Sequence, residues 1–312
     1  MIILHNHVTP VKLYYSFEVI MKALLSLAFL LFVSVAINAQ TQLVITTEPN
    51  AIIWLDEIRR GTTDASGKLS LTKVSPGRHT VRVRASGFKE TTAPLLPGRR
   101  TLAVKLITTT DQAELLFQQA ETAREKARDD AARQQAADLY RQAIKLRPAF
   151  PAARVGLARI LLDLNEFKDA HAEIDAARRA RPSYPEASAV EGRIYREEAF
   201  DREAIASFRR AIREAAGFQP EAYVGLAKVY EDKGQFEQAV AEYRKAIAQL
   251  SDSEPVIYQM LGAAYEKIEK PKEAVAAYEK YLELAPNGSY AAAIRSILEQ
   301  LKREAAGEQI IP

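Results

Sequence analysis

Alanine returns at a fixed step through the second half of this chain, at Ala136, Ala170, Ala204, Ala239 and Ala274, spaced 34, 34, 35 and 35 residues apart. Four residues after each stands an aromatic or branched residue: Tyr140, Ile174, Phe208, Tyr243 and Tyr278. Pro151, Pro185, Pro220 and Pro255 keep nearly the same step. A period of this length predicts a solenoid of helix pairs, in which each unit buries its apolar face only against its neighbours. Surfaces of that kind hold other proteins more often than they carry chemistry, so the period points toward binding.

Each unit follows one plan. From Pro220, a first helix carries Tyr223, Leu226, Ala227 and Tyr230, Lys233-Gly234 makes the turn, and a second helix carries Phe236, Ala239, Tyr243 and Ala246. The unit from Pro255 supplies Tyr258, Leu261, Gly262, Tyr265, Ala274, Tyr278 and Pro286; that from Pro151 supplies Leu157, Ala158, Leu161, Phe167, Ala170, Ile174, Ala177 and Pro182. The unit from Pro185 contributes Gly192, Tyr195, Ala204, Phe208 and Ala211, and the first unit ends with Ala136, Tyr140, Ala143 and Pro148. Small residues let paired helices approach and large ones fill the gaps between them. Proline at a helix start gives up only an N–H that has no helical partner.

These residues resemble the tetratricopeptide repeat. The resemblance covers five copies within 111–288, at 117–150, 151–184, 185–219, 220–254 and 255–288. Departures are local: Tyr281 stands where a small residue is usual, Pro271 replaces an aromatic, and Phe200 sits one residue early. Ala215-Ala216-Gly217 fits a longer turn before Pro220. Residues 289–304 read as a solvating cap helix with Ile294, Ile297, Leu298 and Leu301 inward, and 305–312 as a loose tail.

Ahead of the repeats, residues 42–107 read as short strands broken by turns every eight to twelve residues, the pattern of a small antiparallel β-sandwich. Strands are expected at 42–47, 52–55, 69–72, 79–84 and 101–107. His79-Thr80-Val81-Arg82-Val83-Arg84 alternates strictly and places Val81 and Val83 inward. The stretch resembles a PEGA domain through Pro49-Asn50-Ala51, Trp54-Leu55-Asp56, Gly61-Thr62-Thr63, Pro76-Gly77-Arg78-His79 and Ser86-Gly87-Phe88. It departs where Asn50 and Glu57 replace expected glycines; Asn tolerates left-handed backbone. The resemblance implies a bacterial surface or envelope location more than an activity.

Met21-Lys22 followed by the apolar run 23–37, with small residues at Ala36 and Ala39, reads as a secretory signal peptide over 21–39, cleaved after Ala36 or Ala39. The run is short for a membrane span, which needs roughly 20 residues. Residues 1–20 look like no signal region, and translation is expected to begin at Met21. The mature chain is expected to be exported to the periplasm, the cell surface or the medium, with no transmembrane span. The chain has no cysteine, which removes disulfides, thiol nucleophiles and cysteine zinc sites.

The net charge of +3 divides unevenly: residues 42–107 carry +6 and residues 108–312 carry −4. Arg78, Arg82, Arg84, Arg99 and Arg100 are candidates for a basic face of the sandwich that takes an anionic cell-wall or lipid polymer. The plainer readings are a solvated outer face or contact with the acidic array. In the repeats, the ninth position of the first helix faces the groove and holds Arg159, Arg193 and Lys228, with Arg196 nearby. A basic ladder suits an acidic or C-terminal carboxylate ligand. Asp163, Glu197 and Asp232 stand four residues after each, the spacing of intrahelical ion pairs, so the ladder is expected to neutralise itself.

The tyrosines at repeat positions are expected in the core. His79 and His171 lack ligand-spaced neighbours and are expected at the surface rather than on a metal. There is no P-loop, dinucleotide fingerprint, metalloprotease helix or nucleophile elbow, and no cofactor is expected. The sequence therefore reads as a non-enzymatic, exported interaction protein: a PEGA-like sandwich joined to a tetratricopeptide solenoid whose groove binds a partner peptide or helix. The alternative is surface attachment through the sandwich with the repeats as spacer. Nucleic acid is not an expected partner.

Overall fold

The computed structural model describes residues 41–56, 58–74, 77–250 and 254–306. The expected signal peptide, the choice of start and both expected cleavage positions lie outside these residues, as do Glu57 and positions 307–312.

The β region has strands β1 (Thr41–Thr46), β2 (Ile52–Leu55), β3 (Ile58–Thr62), β4 (Lys68–Val74), β5 (His79–Arg84), β6 (Thr91–Leu95) and β7 (Thr101–Ala103). They form two sheets, ordered β4-β1-β7 and β3-β2-β5-β6. Alternation explains the core: Leu43, Ile45, Ile53, Leu55, Val81 and Val83 point between the sheets and are buried. One sheet is mixed rather than antiparallel, because β7 runs parallel to β1, pairing Val44 with Thr101 and Thr46 with Ala103. The chain leaves β6 in one sheet and reaches the free edge of β1 in the other, where it arrives in the same direction. Strand β7 is also shorter than the expected 101–107, although Val104 and Leu106 continue to point inward. Strands β3 and β6 were not expected. Both are edge strands, and Arg59-Arg60 in one and Pro94 in the other conceal the usual alternation. Asn50 takes the left-handed backbone, at φ 56°.

Eleven helices follow among the described residues: α1 (Gln112–Lys126), α2 (Asp130–Leu146), α3 (Pro151–Asp163), α4 (Phe167–Ala180), α5 (Pro185–Glu197), α6 (Asp201–Glu214), α7 (Pro220–Asp232), α8 (Phe236–Leu250), α9 (Pro255–Lys267), α10 (Pro271–Leu284) and α11 (Ala291–Ala306). Asp111 caps α1, its carboxylate accepting from the N–H groups of Ala113 and Glu114. Pro151, Pro185, Pro220 and Pro255 each open a first helix, and Pro271 opens α10 in the same way. The turn within each pair uses one left-handed residue at an equivalent place: Asn165, Ala199, Gly234 and Glu269.

The periodic large residues are core residues. Tyr140, Ile174, Phe208 and Tyr243 are fully buried, and Tyr278 nearly so. Phe208 lies between Gly192 and Gly225; a Cβ at Gly225 would stand 2.3 Å from its ring. Phe200, one residue early, falls outside its helix and is 52% exposed. The array core separates into three clusters, one from Ala113 to Ile194, one from Ala189 to Ala277 and one from Ala274 to Leu301. Between the first two Ser188, Glu191 and Ser207 are buried. Glu191 accepts from Arg178, Arg210 and Ser207, and Ser188 donates to Glu214 at 2.6 Å. Helix α11 closes the array by burying Ile294, Leu298 and Leu301 against Tyr278 and Tyr281.

Candidate partner-binding groove

The first helices α3, α5 and α7 touch in series, and their second, fifth and ninth positions line one face. On α3, α5 and α7 the ninth positions are Arg159, Arg193 and Lys228. The ion pairs of Arg159 and Arg193 run across helices, not along them as the four-residue spacing predicts. Arg159 of α3 grips Glu221 of α7 with both terminal nitrogens, at 2.7 and 2.9 Å. Arg193 stands between Asp163 at 3.6 Å and Glu221 at 3.7 Å. Arg196 donates to Asp232 of α7 at 2.7 Å and to its neighbour Glu197 at 2.9 Å. Alternate first helices lie close enough for the Arg159 guanidinium to take both oxygens of one carboxylate, the stronger arrangement.

Burial would raise the Glu221 carboxyl, but the Arg159 guanidinium, with Arg193 behind it, overrides burial and holds it at about 2. Burial would likewise lower Arg159, and Glu221 outweighs it and raises it instead. Lys228 moves the other way. Burial and then the positive charges of Arg196 and Arg193 lower its pKa. Among the described residues no carboxylate lies within 4.0 Å of its nitrogen.

The β region occupies the near end of this face. Gln118, Glu121 and Glu125, three and four residues apart, share one side of α1. Gln118 accepts from the Gly87 N–H at 3.1 Å and donates to the Phe88 carbonyl at 2.7 Å. Arg84 reaches Glu121 at 3.3 Å and lies over the Phe117 ring, with its carbon 4.8 Å from the centroid. Arg59 donates to Glu125 at 2.8 Å. Tyr140 adds its hydroxyl to Glu121. Burial opposes ionisation of Glu121, and Arg124 and Arg84 override it, so its pKa is lowered.

The five candidate arginines of the β region therefore have different settings. Arg84 is buried between Glu90, at 2.7 Å, and Glu121. Arg82 stacks on Trp54, 4.2 Å from its centroid, and bonds Glu90 at 3.3 Å. Arg78, Arg99 and Arg100 are exposed.

One of the two histidines departs from the surface expectation, and both meet a carboxylate. His79 is buried, with Nδ1 2.5 Å from Asp56 Oδ2. His171 Nε2 lies 2.8 Å from Glu198, and its ring packs on Tyr195 at 4.7 Å. Both carboxylates come from segments remote in sequence, which spacing along the chain could not reveal. Glu221 and Glu121 were missed for the same reason, although each occupies a groove-facing place at a helix start or on the face of α1.

Two family models described as tetratricopeptide repeat match residues 127–194 and 218–287. No curated protein matches the chain. Several solved structures are similar to it. A thermophilic TPR protein of Thermus thermophilus is 21% identical over 61% of this chain and 98% of that one, with a TM-score of 0.51. The pilF protein of Pseudomonas aeruginosa is 15% identical over 63% and 88%, with a TM-score of 0.52. PilW, a widely conserved type IV pilus biogenesis factor, is 16% identical over 64% and 90%, with a TM-score of 0.53. At these identities the likeness is one of fold.

Proposed function

We propose that this chain, whose second half is built of tetratricopeptide repeats, is a non-enzymatic scaffold of the bacterial cell envelope. The face formed by α3, α5, α7 and α9 holds a peptide or helix of a protein partner, and the β region sets the orientation of that face. The observation that carries the reading is the asymmetry of the groove. On α1 the groove-facing Gln118, Glu121 and Glu125 are taken by Gly87, Phe88, Arg84 and Arg59 of the β region. Farther along, the equivalent Val224, Lys228 and Gln259 keep part of their surface in solvent. A face that already accepts one folded surface at its near end suits a second at its far end. The reading of 21–39 as a signal peptide and the resemblance to a PEGA domain support the envelope location.

A second reading rests on the exposure of Arg78, Arg99 and Arg100: attachment to an anionic cell-wall or lipid polymer through the β region, with the array as spacer. One experiment separates the two. Envelope extract is passed over the chain spanning 40–312, over the same chain with Arg159, Arg193 and Arg196 reversed to Glu, and over one with Arg78, Arg99 and Arg100 reversed. The scaffold reading predicts a protein partner lost only with the groove reversals. Sedimentation with envelopes that depends only on the β-region arginines would establish attachment instead.

A further inference from the structure

Among the described residues at the ninth places of α3, α5 and α7, Lys228 is the cation with no ion pair. Its helical neighbour Asp232 is engaged by Arg196 through Nε at 2.7 Å and Nη2 at 3.4 Å. Glu231 accepts the Tyr243 hydroxyl at 2.7 Å. Glu197 is bonded to Arg196 at 2.9 Å, and both oxygens of Glu221 are held by Arg159. Arg193, at the same place on the preceding first helix, has only long contacts of 3.6 and 3.7 Å and keeps a third of its side chain exposed.

We propose, resting on the groove reading above, that Arg193 and Lys228 form a two-point site for an Asp or Glu side chain in the partner segment. A carboxylate between them accepts from both, offsets the repulsion among Lys228, Arg193 and Arg196, and supplies the acceptor that the half-buried ammonium lacks. Val256 and Gln259 hold on α9 the second and fifth places that Glu221 and Val224 hold on α7, and both keep part of their surface in solvent, so the recognised acid is expected inside a segment that extends over that helix. Binding also draws the Lys228 amine back toward its ordinary value. The groups facing this amine are Arg193, Arg196 and Glu197 on α5 and Glu231 on its own helix.

The test is selection from a random 12-residue peptide display library on the chain spanning 40–312, with peptide C-termini fused to the carrier and so not free. Enriched peptides should carry an internal Asp or Glu. A synthetic version with that acid changed to its amide should bind about tenfold more weakly, and Lys228→Met should cause the same loss. Combining the two changes should add little further, and NMR of the labelled lysine should show its pKa rising on binding. Circular dichroism establishes that Lys228→Met is folded. Enriched peptides without acids, or an acid-to-amide effect that persists in Lys228→Met, overturns this site while leaving the groove reading standing. Enrichment of nothing over the β region alone overturns both. A carboxylate effect that appears only with a free C-terminus also overturns the site as stated.

Discussion

Tyr243 donates its hydroxyl to Glu231 at 2.7 Å, and one repeat later Tyr278 donates to Glu266 in the same way. Where the buried residue of the second helix is Ile174 or Phe208, the place of the carboxylate is taken by Leu162 or Arg196. The aromatic core and the charged groove are thus joined: a tyrosine is tolerated at full burial because its hydroxyl reaches an acceptor on the first helix. Tyr243→Phe should cost about 1.5 kcal/mol, the size of a hydrogen bond to a charged group, measured by urea unfolding. Phe208→Tyr, which meets Arg196 in place of a carboxylate, should bring no gain.

Acid should act on two groove carboxylates in opposite directions. Glu221 is depressed to about 2 from 4.5, because Arg159 outweighs its burial. The stability it contributes is complete above the unfolded value near 4.5 and is lost as pH falls toward 2. Glu231 is raised, by burial first, so it disfavours the fold at neutral pH and ceases to do so once protonated. Glu221→Gln should therefore destabilise at about pH 7 and match the parent protein near pH 2. Glu231→Gln keeps an acceptor for Tyr243; it should stabilise at about pH 7 and match the parent protein near pH 4. Thermal unfolding across this range checks both signs.

Gly225 should reverse the usual helix rule. Glycine to alanine in a helix interior ordinarily gains about 1 kcal/mol. A Cβ at Gly225, however, meets the Phe208 ring at 2.3 Å, and overpacking of this kind costs about 1–3 kcal/mol. Gly225→Ala should lower the urea midpoint, and Phe208→Leu in the same chain should recover part of the loss.

Glu191 holds Arg178 and Arg210 together where the first two clusters of the array core meet. Burial works against its ionisation, and hydrogen bonds from Arg178 and Ser207 with the charge of Arg210 overcome that, lowering its pKa. Glu191→Ala strands two guanidinium groups and should cost about 3 kcal/mol, at the lower end for a broken buried pair. Replacing Glu191, Arg178 and Arg210 together by Leu, Met and Met should be nearly neutral, since desolvation of charge disappears along with the attraction. Denaturant curves of the two variants decide between these outcomes.

The period in Ala136 to Ala274 was enough to place the helix pairs, because a close helix contact admits only small residues and the gap beside it only large ones. The same logic located Val81 and Val83. It failed for β3 and β6, whose edge positions release them from alternation, and for the parallel β7, whose partner is chosen by a crossover rather than by local pattern. It failed also for the groove. The four-residue spacing of Arg159 and Asp163 is visible along the chain, but the carboxylate that holds Arg159 lies 62 residues away on α7. Which cation is left over follows from how alternate first helices approach one another, and that is a sum over the packing of several repeats. The position of Glu191 could have been suspected, since a glutamate there interrupts an otherwise apolar repeat position.

The central claim, that the inner face of the array holds a protein partner, is tested most directly by photo-crosslinking in living cells. A photoreactive residue is placed at Gln259, partly exposed at the fifth position of the first helix α9, or at Gln238, exposed on the second helix α8. The account predicts a discrete protein adduct from Gln259 that disappears in Lys228→Met, and none from Gln238. Adducts of equal yield from both positions, or none from Gln259, would contradict it.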